Sequence, residues 1–151
     1  ASVKKQCIDS TPNGFFVYES KDDKDDIKKK GITHVEVSSK LNAIEPKAFE
    51  WCKSLVKIIL PESITEIGYY AFYECSSLQQ INIPNSITKI ESYTFIGCKS
   101  LVKIILPESV TEIGRGAFRE CSSLVHVYSI PIWGGGTNLY CTSSMFTLYP
   151  Y

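Results

Sequence analysis

The chain lacks several features that would assign it to a familiar functional class. Its 16 basic and 16 acidic residues cancel, so no basic excess points to nucleic acid or to an anionic membrane. No apolar run reaches the roughly 18 residues that a membrane span needs. No Gly-rich loop opens a long helix, so the sequence shows no phosphate-binding cradle. We therefore expect neither nucleic-acid binding nor membrane insertion.

A repeat of 23 residues is the main feature that the chain does have. Cys52, Cys75, Cys98 and Cys121 follow one another at this step. The same step relates columns of Leu, Ile, Pro and Phe residues. These columns are Leu55/Leu78/Leu101/Leu124, Ile58/Ile81/Ile104/Val127, Pro61/Pro84/Pro107, Ile67/Ile90/Ile113 and Phe49/Phe72/Phe95/Phe118. Such a period is typical of a solenoid, in which each unit buries its apolar face by stacking on its neighbours.

The sequence of each repeat unit predicts two short extended segments and a tight bend. In residues 53–75, an alternating β-branched stretch predicts a strand that Pro61 ends, because proline cannot donate to a sheet. A second extended piece follows, and Gly68 opens a bend. The spacing of the apolar residues after Gly68 predicts a single helical turn facing inward. The inward set is Leu55, Ile58, Leu60, Ile64, Ile67, Ala71, Phe72 and Cys75.

The limits of the pattern divide the chain into a solenoid with two caps. We predict an N-terminal cap over 1–31, with a strand at 15–18 and a capping helix at 22–31. The coils follow at 32–52, 53–75, 76–98, 99–121 and, in part, 122–131. A C-terminal cap over 132–151 would fold Trp133 and later aromatic residues over the open end; the alternative is an end left open for a partner. The acidic start of the helix also suggests calcium, but Ile27 stands where an EF-type loop needs Gly.

The residue types that carry chemistry do not form a catalytic pattern. A straight column of cysteines does not converge on zinc, so we expect buried thiols, although stacked coils bring neighbouring cysteines within disulfide range. His34 and His126 lie four coils apart, roughly 19 Å at strand spacing, and cannot act on one atom. We therefore expect no catalytic residues, no bound metal, no cofactor and no enzyme activity.

A near-identical copy of 53–75 follows 46 residues later, at 99–121. The two differ only at Ile64/Val110, Tyr69/Arg115, Tyr70/Gly116 and Tyr73/Arg119. Charged positions change along the stack, as in the column Glu66, Lys89, Glu112. Stacked like charges repel, so the two-coil period is compatible with electrostatic spacing. Duplication of a two-coil unit would give the same pattern.

The pattern LxxIxIPxSITxIxxxxFxxC resembles the BspA-like leucine-rich-repeat family over about 32–131. The resemblance implies a right-handed, β-rich α/β leucine-rich-repeat solenoid with a concave parallel sheet, short strands and single helical turns. It also implies function by surface recognition, since family members include adhesins of mucosal bacteria and surface or secreted proteins of parasitic protists. The family has no shared catalytic residues to transfer.

Two surfaces are candidates for partner binding. The first is formed by outward strand positions on the concave face: Lys57, Ile59, Gln80, Asn82, Lys103, Ile105, His126 and Tyr128. The second is a ridge around the bend, where Tyr and Arg, residues enriched at binding hot spots, replace one another. Its residues are Tyr69, Tyr70, Tyr73, Tyr93, Arg115 and Arg119. For both surfaces the alternative is ordinary solvated surface, where apolar residues also occur.

These observations favour a non-catalytic protein-binding module acting in adhesion or surface recognition, with a host surface or matrix protein as one candidate partner. An intracellular scaffold or regulatory subunit is the first alternative, and end-to-end self-association is the second. The compartment stays open: the resemblance favours a surface or secreted protein, and the cysteines favour the cytoplasm.

Overall fold

Each 23-residue unit forms one coil of a parallel-sheet solenoid, which confirms the predicted fold class. The computed structural model describes residues 14–129 and 138–140; of residues 126, 128, 129 and 138–140 it describes the backbone only. The elements in chain order are β1 (Phe16–Tyr18), α1 (Asp23–Lys30), β2 (His34–Val37), β3 (Ala43–Ile44), β4 (Lys57–Ile59), β5 (Glu66–Ile67), β6 (Gln80–Ile81), β7 (Lys89–Ile90), β8 (Lys103–Leu106), β9 (Glu112–Ile113), β10 (His126–Ser129) and β11 (Asn138–Tyr140).

The first strands of successive coils form what we call the strand face, which is the predicted concave face. One sheet has the order β1-β2-β4-β6 and a second has the order β11-β10-β8. Pairing between coils is parallel and in register with the repeat, as in Lys57↔Gln80 and Lys103↔His126. Within the described chain, no strand pairing joins β6 to β8. We call this break the strand-face seam.

The second strands of the coils form two separate pairs, β3 with β5 and β7 with β9. The gap between β5 and β7 is the second seam. In both pairs a glycine follows the later strand, and its amide donates to the coil before: Gly68 N–H to Ile44 O at 2.8 Å and Gly114 N–H to Ile90 O at 2.7 Å. A Cβ on Gly68 would lie 2.5 Å from Pro46 N, so these glycines permit a close approach of two backbones.

The bends of the coils stack into a ridge made of residues 46–51, 69–74, 92–97 and 115–120. Their backbone differs in detail from the expected single helical turn. Bonds from residue i+3 to residue i, such as Ala71 N–H to Gly68 O, alternate with bonds to the next coil, such as Phe72 N–H to Thr94 O. Two positions in each segment have positive φ; they are Lys47, Trp51, Tyr70, Glu74, Tyr93, Gly97, Gly116 and Glu120. The left-handed backbone at these positions excludes a helix.

The core consists of the apolar columns that the repeat predicts, except that Ile113 on β9 is 42% exposed. The phenylalanine rings Phe49, Phe72, Phe95 and Phe118 stack at centroid distances of 5.4, 5.3 and 5.4 Å, with planes within 3° of parallel. All eight inward residues predicted for coil 53–75 are buried. Hydroxyl groups add a second repeated contact, because Ser63, Ser86 and Ser109 each donate to a carbonyl of the preceding coil.

The strand β1 and the helix α1 precede the first coil, where we predict an N-terminal cap. β1 pairs with β2, and Tyr18 packs on Phe49 with ring centroids 4.7 Å apart. The helix α1 ends at Gly31, which has a left-handed backbone. The Asp23 carboxylate accepts hydrogen bonds from the amides of Glu19 and Ser20, so it holds the turn before the helix. Within the described ranges, no group of three or more His, Cys, Asp or Glu side chains could hold a metal ion.

Most of the predicted C-terminal cap, including Trp133, lies outside the described residues. The described segment β11 pairs antiparallel with β10, as in Val127↔Leu139, and so it occupies the last edge of the strand face. No helix in the described part of the chain is long and apolar enough to cross a membrane.

Candidate functional site

The strand face contains an open groove of about 630 Å³ that crosses three coils. All six predicted strand-face residues with described side chains line it: Lys57, Ile59, Gln80, Asn82, Lys103 and Ile105. The backbones of His126 and Tyr128 continue the same rows on β10, opposite Lys103 and Ile105. The repeat thus brings the predicted residues together.

The groove lies along the strand-face seam. Lys57 and Lys103 are its cations, and among its described lining residues there is no carboxylate. Ile105 is 46% exposed although it is large and apolar. Lys57 Nζ also lies 5.7 Å from the centre of the Phe15 ring, a cation–π contact that holds one cation near the groove. The arrangement offers an apolar surface bordered by positive charge.

Asn82 has a structural role that its place in the pattern did not reveal. Its side-chain oxygen accepts from Leu60 N–H at 2.9 Å, and its side-chain nitrogen donates to Leu60 O at 2.8 Å. The amide therefore continues the pairing of β4 and β6 beyond the end of β6. Both polar groups of the Asn82 side chain are therefore engaged within the fold, although the residue is exposed in the groove.

The ridge carries a continuous cluster of five aromatic rings, which we call the aromatic cluster. It consists of Trp51, Tyr69, Tyr70, Tyr73 and Tyr93, with neighbouring ring centroids 5.0–6.0 Å apart. Trp51 and Tyr69 are 44% and 50% exposed. Trp51 was missed because a strict 23-residue step aligns it with Glu74. Ridge hydrogen bonds instead join residues 22 apart, such as Trp51 N–H to Tyr73 O, and place Trp51 beside Tyr73.

Arg115 and Arg119 occupy the same ridge positions two coils further along and are both exposed. Between the tyrosines and the arginines lies Tyr93, which packs on Gly116: a Cβ at that glycine would lie 2.6 Å from the ring. Tyr70 in turn stacks on Tyr93 with ring planes 18° apart. All six predicted ridge residues therefore lie on one face.

The four described cysteines are buried free thiols. Each of Cys75, Cys98 and Cys121 donates its thiol proton to a phenylalanine carbonyl of the preceding coil, at 3.0–3.3 Å. Burial raises the pKa of the Cys52 thiol to about 11 and that of Cys121 to about 12. It also raises the pKa values of Cys75 and Cys98 well above the ordinary range. The thiol form is inert as a nucleophile and as a metal ligand.

His34 has no catalytic partner among the described residues. Its Nδ1 lies 2.9 Å from the Thr33 hydroxyl, and its ring packs edge-on against Phe15. His34 is thus engaged by its neighbours Thr33 and Phe15.

Comparison with known sequences accounts for the repeat. A sequence model of the BspA-type leucine-rich-repeat region matches residues 27–133 in six copies. The chain belongs to the BspA-type leucine-rich-repeat family. Leucine-rich-repeat solenoids are typically protein-binding modules without a catalytic site. A comparison with curated proteins finds no significant match.

Solved leucine-rich-repeat structures show the same fold. A leucine-rich-repeat protein of T. pallidum is 33% identical with a TM-score of 0.53, over 62% of this chain and 56% of that chain. A leucine-rich cell surface protein of Faecalibacterium prausnitzii is 23% identical with a TM-score of 0.52, over 81% and 37%. A leucine-rich-repeat protein of Eubacterium ventriosum is 21% identical with a TM-score of 0.54, over 80% and 40%. The BspA-type chain thus spans little more than half of the first protein and less of the others.

Proposed function

We propose that the chain is a non-catalytic recognition module that binds a protein partner through the strand-face groove, in adhesion or recognition at a surface. The observation that carries the proposal is the groove itself, in which all six predicted and described strand-face residues meet. A sheet surface that spans several coils is the usual way in which a solenoid presents a binding site. The surface role rests on the family resemblance.

The composition of the groove indicates the chemistry of the partner. Ile59 and Ile105 supply apolar contact, and Lys57 and Lys103 supply positive charge without a compensating carboxylate among the described lining residues. Complementary charge steers association and selects among partners. We expect a partner surface with an apolar centre and acidic neighbours.

A matched pair of variants tests the groove. Ile105→Asp places a charge in the groove, whereas Ile113→Asp places the same charge at a residue of nearly equal exposure, 46% against 42%, on β9. Wild type and both variants are immobilised and exposed to host matrix proteins and to lysate of the producing cell. Proteins retained by wild type and by Ile113→Asp, but bound about thirtyfold more weakly by Ile105→Asp, support the proposal.

Equal retention by all three proteins contradicts a groove-centred function. Retention only from the producing cell's own lysate favours the intracellular scaffold and contradicts the surface role. The cysteines do not decide between these compartments, because a buried thiol bonded to a carbonyl survives in either.

A further inference from the structure

Two residues of the aromatic cluster occupy a left-handed column of the ridge that also contains Lys47. Tyr70 and Tyr93 have φ of 56° and 59°, in the left-handed region. Such a backbone is unfavourable for a residue with a side chain, and the same column contains Gly116. The Tyr70 ring contacts the rings of Tyr69 and Tyr73 and stacks on Tyr93, so both side chains at these positions are packed. The ridge thus keeps tyrosine where glycine would fit more easily.

The rings are held in position and still offer free polar groups. Backbone bonds from coil to coil, such as Lys47 N–H to Tyr69 O, fix the ridge beneath them. None of the Tyr69, Tyr70, Tyr73 or Tyr93 hydroxyls has a hydrogen-bond partner within residues 14–129. Rigid tyrosine and tryptophan rings give large contact areas at a low entropic cost.

The other end of the ridge carries the matching chemistry. Arg115 and Arg119 are the chain's two arginines, whereas its other basic residues are lysines. Arginine stacks on aromatic faces through its planar guanidinium group, whereas lysine contacts them only as a point charge. The pairs Tyr69/Arg115 and Tyr73/Arg119 lie on either side of the segment 92–97, two coils or roughly 10 Å apart.

We propose that the ridge is a self-association surface, on which the aromatic cluster of one copy packs against Arg115 and Arg119 of a second copy. A two-fold axis that lies in the interface, along the segment 92–97 and perpendicular to the stack, exchanges the two halves of the ridge. Tyr69 of one copy then faces Arg115 of the other, Tyr73 faces Arg119, and each contact occurs twice. The assembly closes at two copies and leaves the strand-face groove uncovered.

The area of the ridge sets the expected affinity of self-association. A patch of four short turns buries less than about 1,200 Å², which is the range of weak and transient complexes. Sedimentation equilibrium from about 10 μM to about 1 mM is therefore the appropriate measurement. We expect the mass of the wild type to rise from that of one chain towards that of two, and no further.

Three ridge variants and one control separate stacking from charge. Arg115→Glu/Arg119→Glu and Tyr69→Ala/Tyr73→Ala should remain monomeric throughout the concentration range. Arg115→Lys/Arg119→Lys keeps the charge but loses the planar group, and it should raise the dissociation constant about tenfold, because each lost contact counts twice. The control Lys103→Glu, on the strand face, should associate like the wild type.

A wild type that is still monomeric at about 1 mM overturns the proposal. So does a wild-type level of association in Arg115→Glu/Arg119→Glu or in Tyr69→Ala/Tyr73→Ala. Mass beyond two chains overturns the closed arrangement. Full association of the Arg→Lys variant overturns the stacking account. Thermal melting of each variant must match the wild type within a few degrees, so that loss of association is not loss of fold. The groove test above is unaffected by any of these results.

Discussion

At the scale of the residue, two positions in every ridge segment are left-handed, and they explain part of the difference between the two long copies. Tyr70 and Gly116 occupy the same left-handed position, and the glycine lies under the ring of Tyr93. The change from tyrosine to glycine thus maintains a packing contact between coils. The changes at Tyr69 and Tyr73 have no such packing reason, since their counterparts Arg115 and Arg119 are exposed.

Glycine is also needed where two backbones meet. A Cβ on Gly114 would overlap the backbone at Ser92, whereas a Cβ on Gly14 would meet no atom of the described residues within 4 Å. We predict that Gly114→Ala lowers the free energy of unfolding by about 2–3 kcal/mol through overpacking. Gly14→Ala should cost about 1 kcal/mol, because only its positive φ is unfavourable. Urea unfolding at equilibrium measures both, and equal losses would contradict the proposed close approach.

The buried thiols make stability depend on pH in the alkaline range. An unfolded cysteine has a pKa of about 8.5, and folding raises the pKa of Cys121 to about 12. The folded state therefore binds more protons than the unfolded state between these values. The resulting stability is complete below about pH 8 and is lost as the pH rises through the folded-state pKa.

We predict that the cost of Cys121→Ala falls by about 2 kcal/mol between pH 7 and pH 10, because the variant lacks the titrating thiol. Urea unfolding of wild type and variant at the two pH values gives this difference. A second measurement on the same preparations concerns the four buried thiols of Cys52, Cys75, Cys98 and Cys121. These thiols should react with a thiol reagent only after unfolding. A cost that does not change with pH, or rapid reaction of the native thiols, would show that the column is open to solvent.

At the scale of the element, the two-coil period has a backbone explanation. Gly68 and Gly114 allow β5 and β9 to approach the coils before them, whereas the intervening coil has Glu91 at this position and its strand β7 does not pair with β5. Lys89 does form ion pairs with Glu91 and Glu112, at 3.3 and 3.2 Å. Exposed pairs of this kind contribute little, so the alternation of glycine with glutamate is the stronger reason for pairing coils in twos.

The second seam should be visible in hydrogen exchange. The amides of Thr65 and Thr111 donate to the preceding coil, at 2.8 and 2.9 Å. The amide of Thr88 occupies the same place in the repeat but has no hydrogen-bond acceptor among the described residues. We predict that Thr88 exchanges at least about tenfold faster than the other two, because an unbonded exposed amide needs no opening step. Residue-resolved exchange followed by NMR measures the three rates, and similar protection at all three would mean that β5 and β7 pair in solution.

At the scale of the whole molecule, the core is a set of columns that begins at the N-terminal cap. Tyr18 is 3% exposed and covers the first ring of the phenylalanine stack. A solenoid is stabilised by contacts between neighbouring units, so its ends need a cover.

We predict that Tyr18→Ala lowers the free energy of unfolding by about 3–5 kcal/mol, the usual cost of removing a buried aromatic ring. Val17→Ala, at an adjacent residue that is 38% exposed, is the control and should cost much less. Chemical unfolding curves decide the matter. A small effect of Tyr18→Ala would show that β1 is not a required cap.

The repeat allowed the fold, the inward columns and the six groove residues to be predicted, because a constant step of 23 residues places equivalent side chains above one another. It could not predict the seams, since these depend on which coils can approach closely at Gly68 and Gly114. It also could not predict the position of Trp51, because the ridge is bonded with an offset of 22 residues. The role of Asn82 could not be predicted either, because it depends on where β6 ends and the Asn82 amide takes over the pairing with Leu60.

The two seams lie at successive joints, on opposite sides of the coil 76–98. At the joint where β5 and β7 are unpaired, β4 and β6 are paired. At the joint where β6 and β8 are unpaired, β7 and β9 are paired. Each of these two joints between coils therefore keeps one paired ladder. If a force along the stack separated two coils at a seam, the paired strands on the other side of the same joint would still hold them together. The stack should therefore be harder to pull apart than one in which both seams lay at the same joint.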